Sequence, residues 1–194
     1  MSTFIRCKVT IKFLTLRVYT PTTNHNNMKK IVITALLAAL FTITSEAQSN
    51  LKKIYDEEID PVEQIDKAVA KARKEGKHVV CQVGGNWCRW CLMFADFITK
   101  DPEINKMIND NFVYIHVNYN PRKPAEGDKA QQAEAMLKKL GKPTRFGYPV
   151  MVVLDANGKV IHYQDSSFLE QDNGYNRDKV IRFFKNWTPK AVKG

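Results

Sequence analysis

The sequence predicts an α/β domain: a small mixed central sheet with helices on both faces. Three observations carry that prediction. Amphipathic helical patterns alternate with short, β-rich apolar runs. Two of those runs are joined through helices, which makes the strands parallel. A third run passes through Asp155-Ala156-Asn157-Gly158 into a fourth, the signature of an antiparallel hairpin. At 194 residues, 44% hydrophobic and 26% charged, the chain is long enough to bury one core without disulfide staples.

The elements follow in chain order. "PVEQIDKAVAKARKEGK" places Val62, Ile65, Ala68, Val69 and Ala72 at three-to-four spacing, with Pro61 in the first turn and Gly76 as the stop. "HVVCQV" is a short buried strand, broken by Gly84 and Gly85. "NWCRWCLMFADFITK" puts Cys91, Phe94, Ala95 and Ile98 on one helical face. "DPEINKMIND" starts a helix with Asp101 as N-cap and Pro102 in the first turn. "NFVYIHVNY" is the second strand, and "GDKAQQAEAMLKKLGK" a helix with Gly141 past its end. "YPVMVVLDANGKVIHY" is the hairpin. "YNRDKVIRFFKNW" closes the chain as a helix with Val180, Ile181, Phe184 and Trp187 on its core side. "NPRKPAEGD", residues 120 to 128, is a polar loop.

The domain is expected to occupy residues 48–194. Met28 opens a secretory signal peptide over residues 28–47: Lys29 and Lys30 form the positive region, and Ile31 to Ile43 the apolar region. Small residues Ser45 and Ala47 stand where a signal peptidase reads, so cleavage is expected after Ala47. The apolar stretch falls short of the ~20 residues a membrane span needs. Gln48, not a cysteine that could carry a lipid, stands directly after the cleavage point, so no stable membrane anchor is expected after cleavage. Residues 1–27 carry basic but no acidic side chains. They are read as a non-structural upstream extension, with translation starting at Met28. Cys7 and His25 are set aside with them. A periplasmic or otherwise exported protein is expected.

Charge argues against nucleic acid. The chain holds 30 basic and 20 acidic side chains. Residues 1–47 take six basic and one acidic with them, which leaves a net charge of +5. The excess is spread over helix surfaces, as at Lys67, Lys71 and Lys74, with no basic stripe interleaved with aromatics.

Export bears on the cysteines, because disulfides persist outside the cytoplasm. Cys81, Cys88 and Cys91 remain after cleavage: one close pair and one leftover thiol. A Cys-X-X-Cys can hold a metal, form an inert clip or run redox chemistry. Cys88 follows a strand and begins a helix, where unpaired N–H groups and the positive dipole end favour a thiolate. Arg89 adds a neighbouring positive charge. Cys88 is therefore expected as the exposed nucleophile, with a pKa below the free-thiol value of about 8.5. Cys91 lies one turn on, faces inward, is expected above that value, and can resolve a mixed disulfide. Trp87 and Trp90 either flank the thiol with apolar surface or simply pack.

The strand, "WCRWC" at a helix start, the downstream "GYPVMVVLD" and the final helix resemble a thioredoxin over about residues 54–188. The segment "GGNWCRWCLMF" is similar to the bacterial thioredoxin-like branch with bulky residues between the cysteines. The resemblance implies a thioredoxin fold and a Cys88–Cys91 thiol–disulfide couple that needs no cofactor. It implies protein thiols and disulfides as partners, together with a membrane electron-transfer partner. It also implies a cis proline at Pro149 and a substrate groove of Trp87, Arg89, Trp90, Tyr148 and Pro149, in which the Tyr148 backbone pairs with an extended substrate. Three departures stand out. Arg89-Trp90 replaces Gly-Pro between the cysteines. Gln82 replaces the buried acid six positions before the first cysteine, which leaves the proton of the resolving thiol to a water or another group. Tyr148 is bulky.

Other candidates read as structural. Cys81 is a core hydrophobe in a buried strand. His116 is a strand residue with a satisfied polar tip, and His78 and His162 sit at strand positions. No metal is expected, since only Cys88 and Cys91 have ligand spacing and zinc wants about four protein ligands. The competing reading is a non-catalytic binding module that uses the groove beside the two tryptophans. A metal chaperone on the same fold ranks below it.

Overall fold

A computed structural model describes residues 51–123 and 125–193. The expected signal peptide, the upstream extension, Cys7 and His25 lie outside these residues. The described chain runs α1 (Pro61–Glu75), β1 (His78–Gly84), α2 (Arg89–Lys100), α3 (Pro102–Asn111), β2 (Phe112–Asn118), α4 (Asp128–Lys139), β3 (Val150–Leu154), β4 (Val160–Asp165), β5 (Glu170–Gln171), β6 (Gly174–Tyr175), α5 (Arg177–Asn186) and α6 (Pro189–Lys193).

Local chemistry starts and stops the helices where the sequence says. The Asp60 carboxylate accepts from the Val62 N–H at 2.8 Å and caps α1, with Pro61 in the first turn. Gly76 ends α1 at φ 67°, a left-handed conformation that costs glycine little. Asp101 caps α3, accepting from the Glu103 and Ile104 N–H groups at 3.0 Å each.

The four main strands order as β2-β1-β3-β4. β1 and β2 are parallel, His78 opposite Phe112, and α2 and α3 make the crossover. β3 is antiparallel to both β1 and β4, with Val83 opposite Val150 and a register shift at Val153/Leu154. This is the mixed sheet of a thioredoxin fold.

Strand alternation divides the core in two. Val79, Cys81 and Val83 of β1, with Val150 and Val152 of β3, face α1 and α4. Val80, Met151 and Val153 face the other way, against Phe94 of α2, Ile104 of α3 and Phe184 of α5. Both faces are covered, so β1 and β3 are buried along their whole lengths.

The core face of α5 is the expected one, with Phe183 added. Val180, Phe183 and Phe184 are buried, and Ile181 and Trp187, partly buried, pack against the same cluster. The spacing 180, 183, 184 centres the core stripe, and Ile181 sits to its side. Trp187 also stacks on His162 at 4.2 Å, and its carbonyl lies 2.9 Å from His78 Nδ1. The segment between β4 and α5, to which no element is assigned from sequence, holds the short β5–β6 ladder and the buried Leu169.

Candidate active site

β1 ends at Gly84, and the next four residues turn the chain into α2. Cys88 is the N-cap of α2, with extended backbone (φ −100°, ψ 102°). Its N–H bonds the Gly85 carbonyl at 3.0 Å, and its Sγ accepts the Cys91 N–H at 3.2 Å. Cys88 and Cys91 are joined as a disulfide, Cα atoms 5.2 Å apart. The cap position thus aims an otherwise unpaired helix N–H at sulfur, the arrangement that favours a thiolate on reduction.

One expectation about this pair fails. Cys88 is only 7% exposed, not an open nucleophile, and Cys91 is fully buried. Packing is the reason: Tyr55 shares one buried cluster with the two cysteines, and Trp87, Trp90 and Tyr148 pack against it. The tryptophans both flank and pack. Trp87 Nε1 donates to the Tyr119 carbonyl at 3.0 Å, and its ring meets Tyr148 edge-on at 5.3 Å. Trp90 meets Tyr175 edge-on at 5.6 Å, and its carbonyl accepts the Tyr175 hydroxyl at 3.1 Å. Arg89 is exposed at the first position of α2.

The Tyr148–Pro149 peptide bond is cis. Because Val150 pairs with Val83, Pro149 sits beside Gly84 at the end of β1 that leads to the cysteines. Tyr148 is half-buried, and desolvation, then Tyr119, pushes its phenol up to about 12. It stays a neutral hydroxyl at physiological pH. Cys81 is fully buried, and burial pushes its thiol far up, so it is no competing thiolate.

Sequence reasoning missed Tyr55. It comes from the irregular segment before α1, is 5% exposed, and forms one buried cluster with Cys88 and Cys91. Asn86, in the loop before Cys88, holds it there: Oδ1 accepts from the Ile54 and Tyr55 N–H groups at 3.1 Å each, and Nδ2 donates to the Tyr55 carbonyl at 2.8 Å. Gln82 Nε2 donates to the Tyr55 hydroxyl at 2.6 Å and the Cys91 carbonyl at 2.9 Å. Tyr114 donates to Gln82 Oε1 at 2.6 Å. No local signal marks Tyr55, since its partners lie 27 or more residues away. The Asn86 that precedes Trp87-Cys88 is the nearest thing to one.

His116 is also corrected. Its Nε2 is buried and has no hydrogen-bond partner among the described residues, rather than a satisfied tip. Aromatic edges crowd it: Tyr55 at 5.5 Å and Tyr114 at 5.4 Å. Desolvation holds its pKa at about 4, below the ordinary 6.5. The folded state thus prefers neutral imidazole, and between pH 6.5 and 4 the unfolded chain binds the extra proton. Stability conferred by His116 is whole above pH 6.5 and is lost as pH falls toward 4. We expect equilibrium urea unfolding to show that slope, at most about 3 kcal/mol across the window, and His116→Phe to flatten it. An unchanged slope in His116→Phe counts against this assignment.

Among the described residues no group of three or more His, Cys, Asp or Glu is arranged to hold a metal ion. No helix among them is long and apolar enough to cross a membrane.

With this geometry in place, the comparisons with known proteins are specific about kinship. The model of the family Thioredox_DsbH, described as "Protein of unknown function, DUF255", matches residues 15–188. The chain is 34% identical over 55 residues to Spermatogenesis-associated protein 20 of Mus musculus and 36% identical over 55 residues to that of Rattus norvegicus. Each match takes in 28% of this chain and 7% of the relative, so the chain spans only a small part of their length. Among solved structures, the disulphide isomerase from Xylella fastidiosa Temecula1 superposes with a TM-score of 0.57 at 23% identity, over 70% of this chain and 97% of that one. That likeness is one of fold.

Proposed function

The chain belongs to the Thioredox_DsbH family, and from that premise we propose that it is an exported thiol–disulfide oxidoreductase acting on proteins through Cys88 and Cys91. The observation that carries this reading is the disulfide at the N-terminus of α2, with Cys88 Sγ accepting a helix N–H and Tyr148 packed alongside.

The chemistry balances without a cofactor. In the reduced protein the Cys88 thiolate attacks one sulfur of a substrate disulfide, and the other substrate sulfur leaves with the electron pair and takes a proton from water. Cys91, having given its proton to solvent, attacks Cys88 Sγ. The Cys88–substrate bond breaks, the second substrate thiolate departs, and the Cys88–Cys91 bond forms. Two electrons have moved from the protein to the substrate. The same steps reversed oxidise a dithiol.

Burial of Cys88 bears on the substrate class. A Cys88 only 7% exposed, in a cluster packed by Trp87, Trp90 and Tyr148, favours a chain that inserts in extended form over a bulky folded surface. The cis Tyr148–Pro149 bond, beside the end of β1 that leads to the cysteines, and the exposed Arg89 support a groove for the backbone of such a chain. Signal-peptide features from Lys29 to Ala47 support export, and an electron-transfer partner in the membrane would then reset the couple.

Three measurements test the reading. Purified protein is expected to catalyse insulin reduction by dithiothreitol; a chain that stays stoichiometric is a binding module instead. The potential of the couple then gives direction: near −270 mV for a reductase, near −120 mV for an oxidase. N-terminal sequencing of the native protein is expected to start at Gln48, and an intact Met1 or Met28 would refute export by this signal.

A further inference from the structure

We propose that the Tyr55 hydroxyl is the hydrogen-bond donor that stabilises the Cys91 thiolate, with Asn86 and Gln82 positioning it. The inference rests on the reading of Cys88–Cys91 as a working redox couple.

Gln82 fixes the direction of the network. The Cys91 carbonyl can only accept, so the group 2.9 Å from it is the Gln82 amide nitrogen. That nitrogen gives its second hydrogen to the Tyr55 oxygen, and Oε1 takes the Tyr114 hydrogen. Donation therefore runs from Tyr114 to Gln82 to Tyr55. The Tyr55 oxygen is an acceptor in this chain, and its own hydrogen has no acceptor among the described residues.

Gly84 shows where that hydrogen can go. A Cβ built on Gly84 would overlap Cys91 Sγ and lie 2.9 Å from the Tyr55 hydroxyl. Hydroxyl and sulfur thus border the same small space, kept open because residue 84 has no side chain. In the disulfide Cys91 Sγ is a weak acceptor. On reduction and loss of its proton it becomes a buried anion, which needs a donor. Burial pushes the Tyr55 phenol well above its ordinary range, so Tyr55 keeps its proton and acts only by donating a hydrogen bond.

The balance of the resolving step is unchanged. The Cys91 proton goes to solvent, the thiolate attacks Cys88 Sγ, and the substrate thiolate leaves. Tyr55 raises the fraction of Cys91 present as thiolate before attack. The pinning of its backbone by Asn86 puts the donor under the control of the loop that also carries Cys88.

The test is an NMR titration of cysteine Cβ in reduced, isotope-labelled protein, which reads Cys88 and Cys91 separately. Tyr55→Phe keeps the ring and removes the donor. The Cys91 pKa is expected to rise by about one unit, with at most a third of that at Cys88. Below that pKa the thiolate fraction falls tenfold, and mixed disulfide with substrate accumulates in proportion. A folded Tyr55→Phe protein with an unchanged Cys91 pKa, or with equal shifts at both cysteines, overturns the proposal. Should Tyr55→Phe not fold, Asn86→Ala is the second variant: it spares the hydroxyl, frees its backbone, and is expected to shift Cys91 the same way by less. No shift there overturns the proposal as well. A wild type that reduces no disulfide would defeat the redox reading alone, since the titration needs no turnover.

Discussion

Cys91→Ser is expected to form one covalent bond with a disulfide substrate and go no further. Cys88 remains at the cap of α2, so the first attack proceeds, but nothing stands behind it to release the product. Mixed disulfides should accumulate, visible on non-reducing gels and by intact mass. Cys88→Ser should trap none, because Cys91 is fully buried and the substrate sulfur cannot reach it. Both variants should lose turnover by roughly 10³-fold or more, the scale on which covalent catalysis depends on its nucleophile. Cys81→Ala is the control. Cys81 sits in the β1 core on the face toward α1 and α4, so the change should cost stability but leave turnover per folded molecule near wild type. Mixed disulfide forming through Cys91 in Cys88→Ser would reverse the roles assigned to the two sulfurs.

Phe94→Ala is expected to have the largest effect on stability. Phe94 is fully buried one turn after Cys91 on α2, and meets Tyr175 edge-on at 4.8 Å. Tyr175 in turn donates to the Trp90 carbonyl. Truncation removes a large apolar side chain from a site with sheet beneath and α5 beside it, so little can collapse into the gap. A loss of about 3–5 kcal/mol follows for a buried phenylalanine. Urea unfolding of the oxidised protein should show the midpoint falling with little change in slope. Phe168→Ala is the matched control: that ring is 72% exposed, and the change should stay within about 0.5 kcal/mol. A loss below ~1 kcal/mol at Phe94 would mean that α2 is held mainly by its other contacts.

The sequence by itself determined the order of the main elements, their caps and their buried faces. These are written locally. Asp60 and Asp101 cap helices through N–H groups two or three residues on. Cys91, Phe94, Ala95 and Ile98 share a face because a helix repeats every 3.6 residues, and each is buried as read. The Cys88–Cys91 pair was legible for the same reason: its spacing, and its place between a strand and a helix, lie within a dozen residues.

Only the tertiary structure decided what surrounds the pair. The buried cluster that holds Cys88 is packed by Trp87, Trp90 and Tyr148, and Tyr148 lies 60 positions from Cys88. Gln82, read from sequence as a missing acid, is the centre of a network that joins β1 to its parallel neighbour and to the segment before α1. A lone strand histidine reads as structural with a satisfied tip, but His116 Nε2 has no partner among the described residues and sits between two tyrosine rings. The β5–β6 ladder escaped notice because two-residue strands carry no periodicity. Periodicity and capping act over one or two turns of chain. A hydrogen bond between Gln82 and Tyr55 leaves no pattern in either neighbourhood, because the sheet and the Asn86 contacts create it only once the chain has folded.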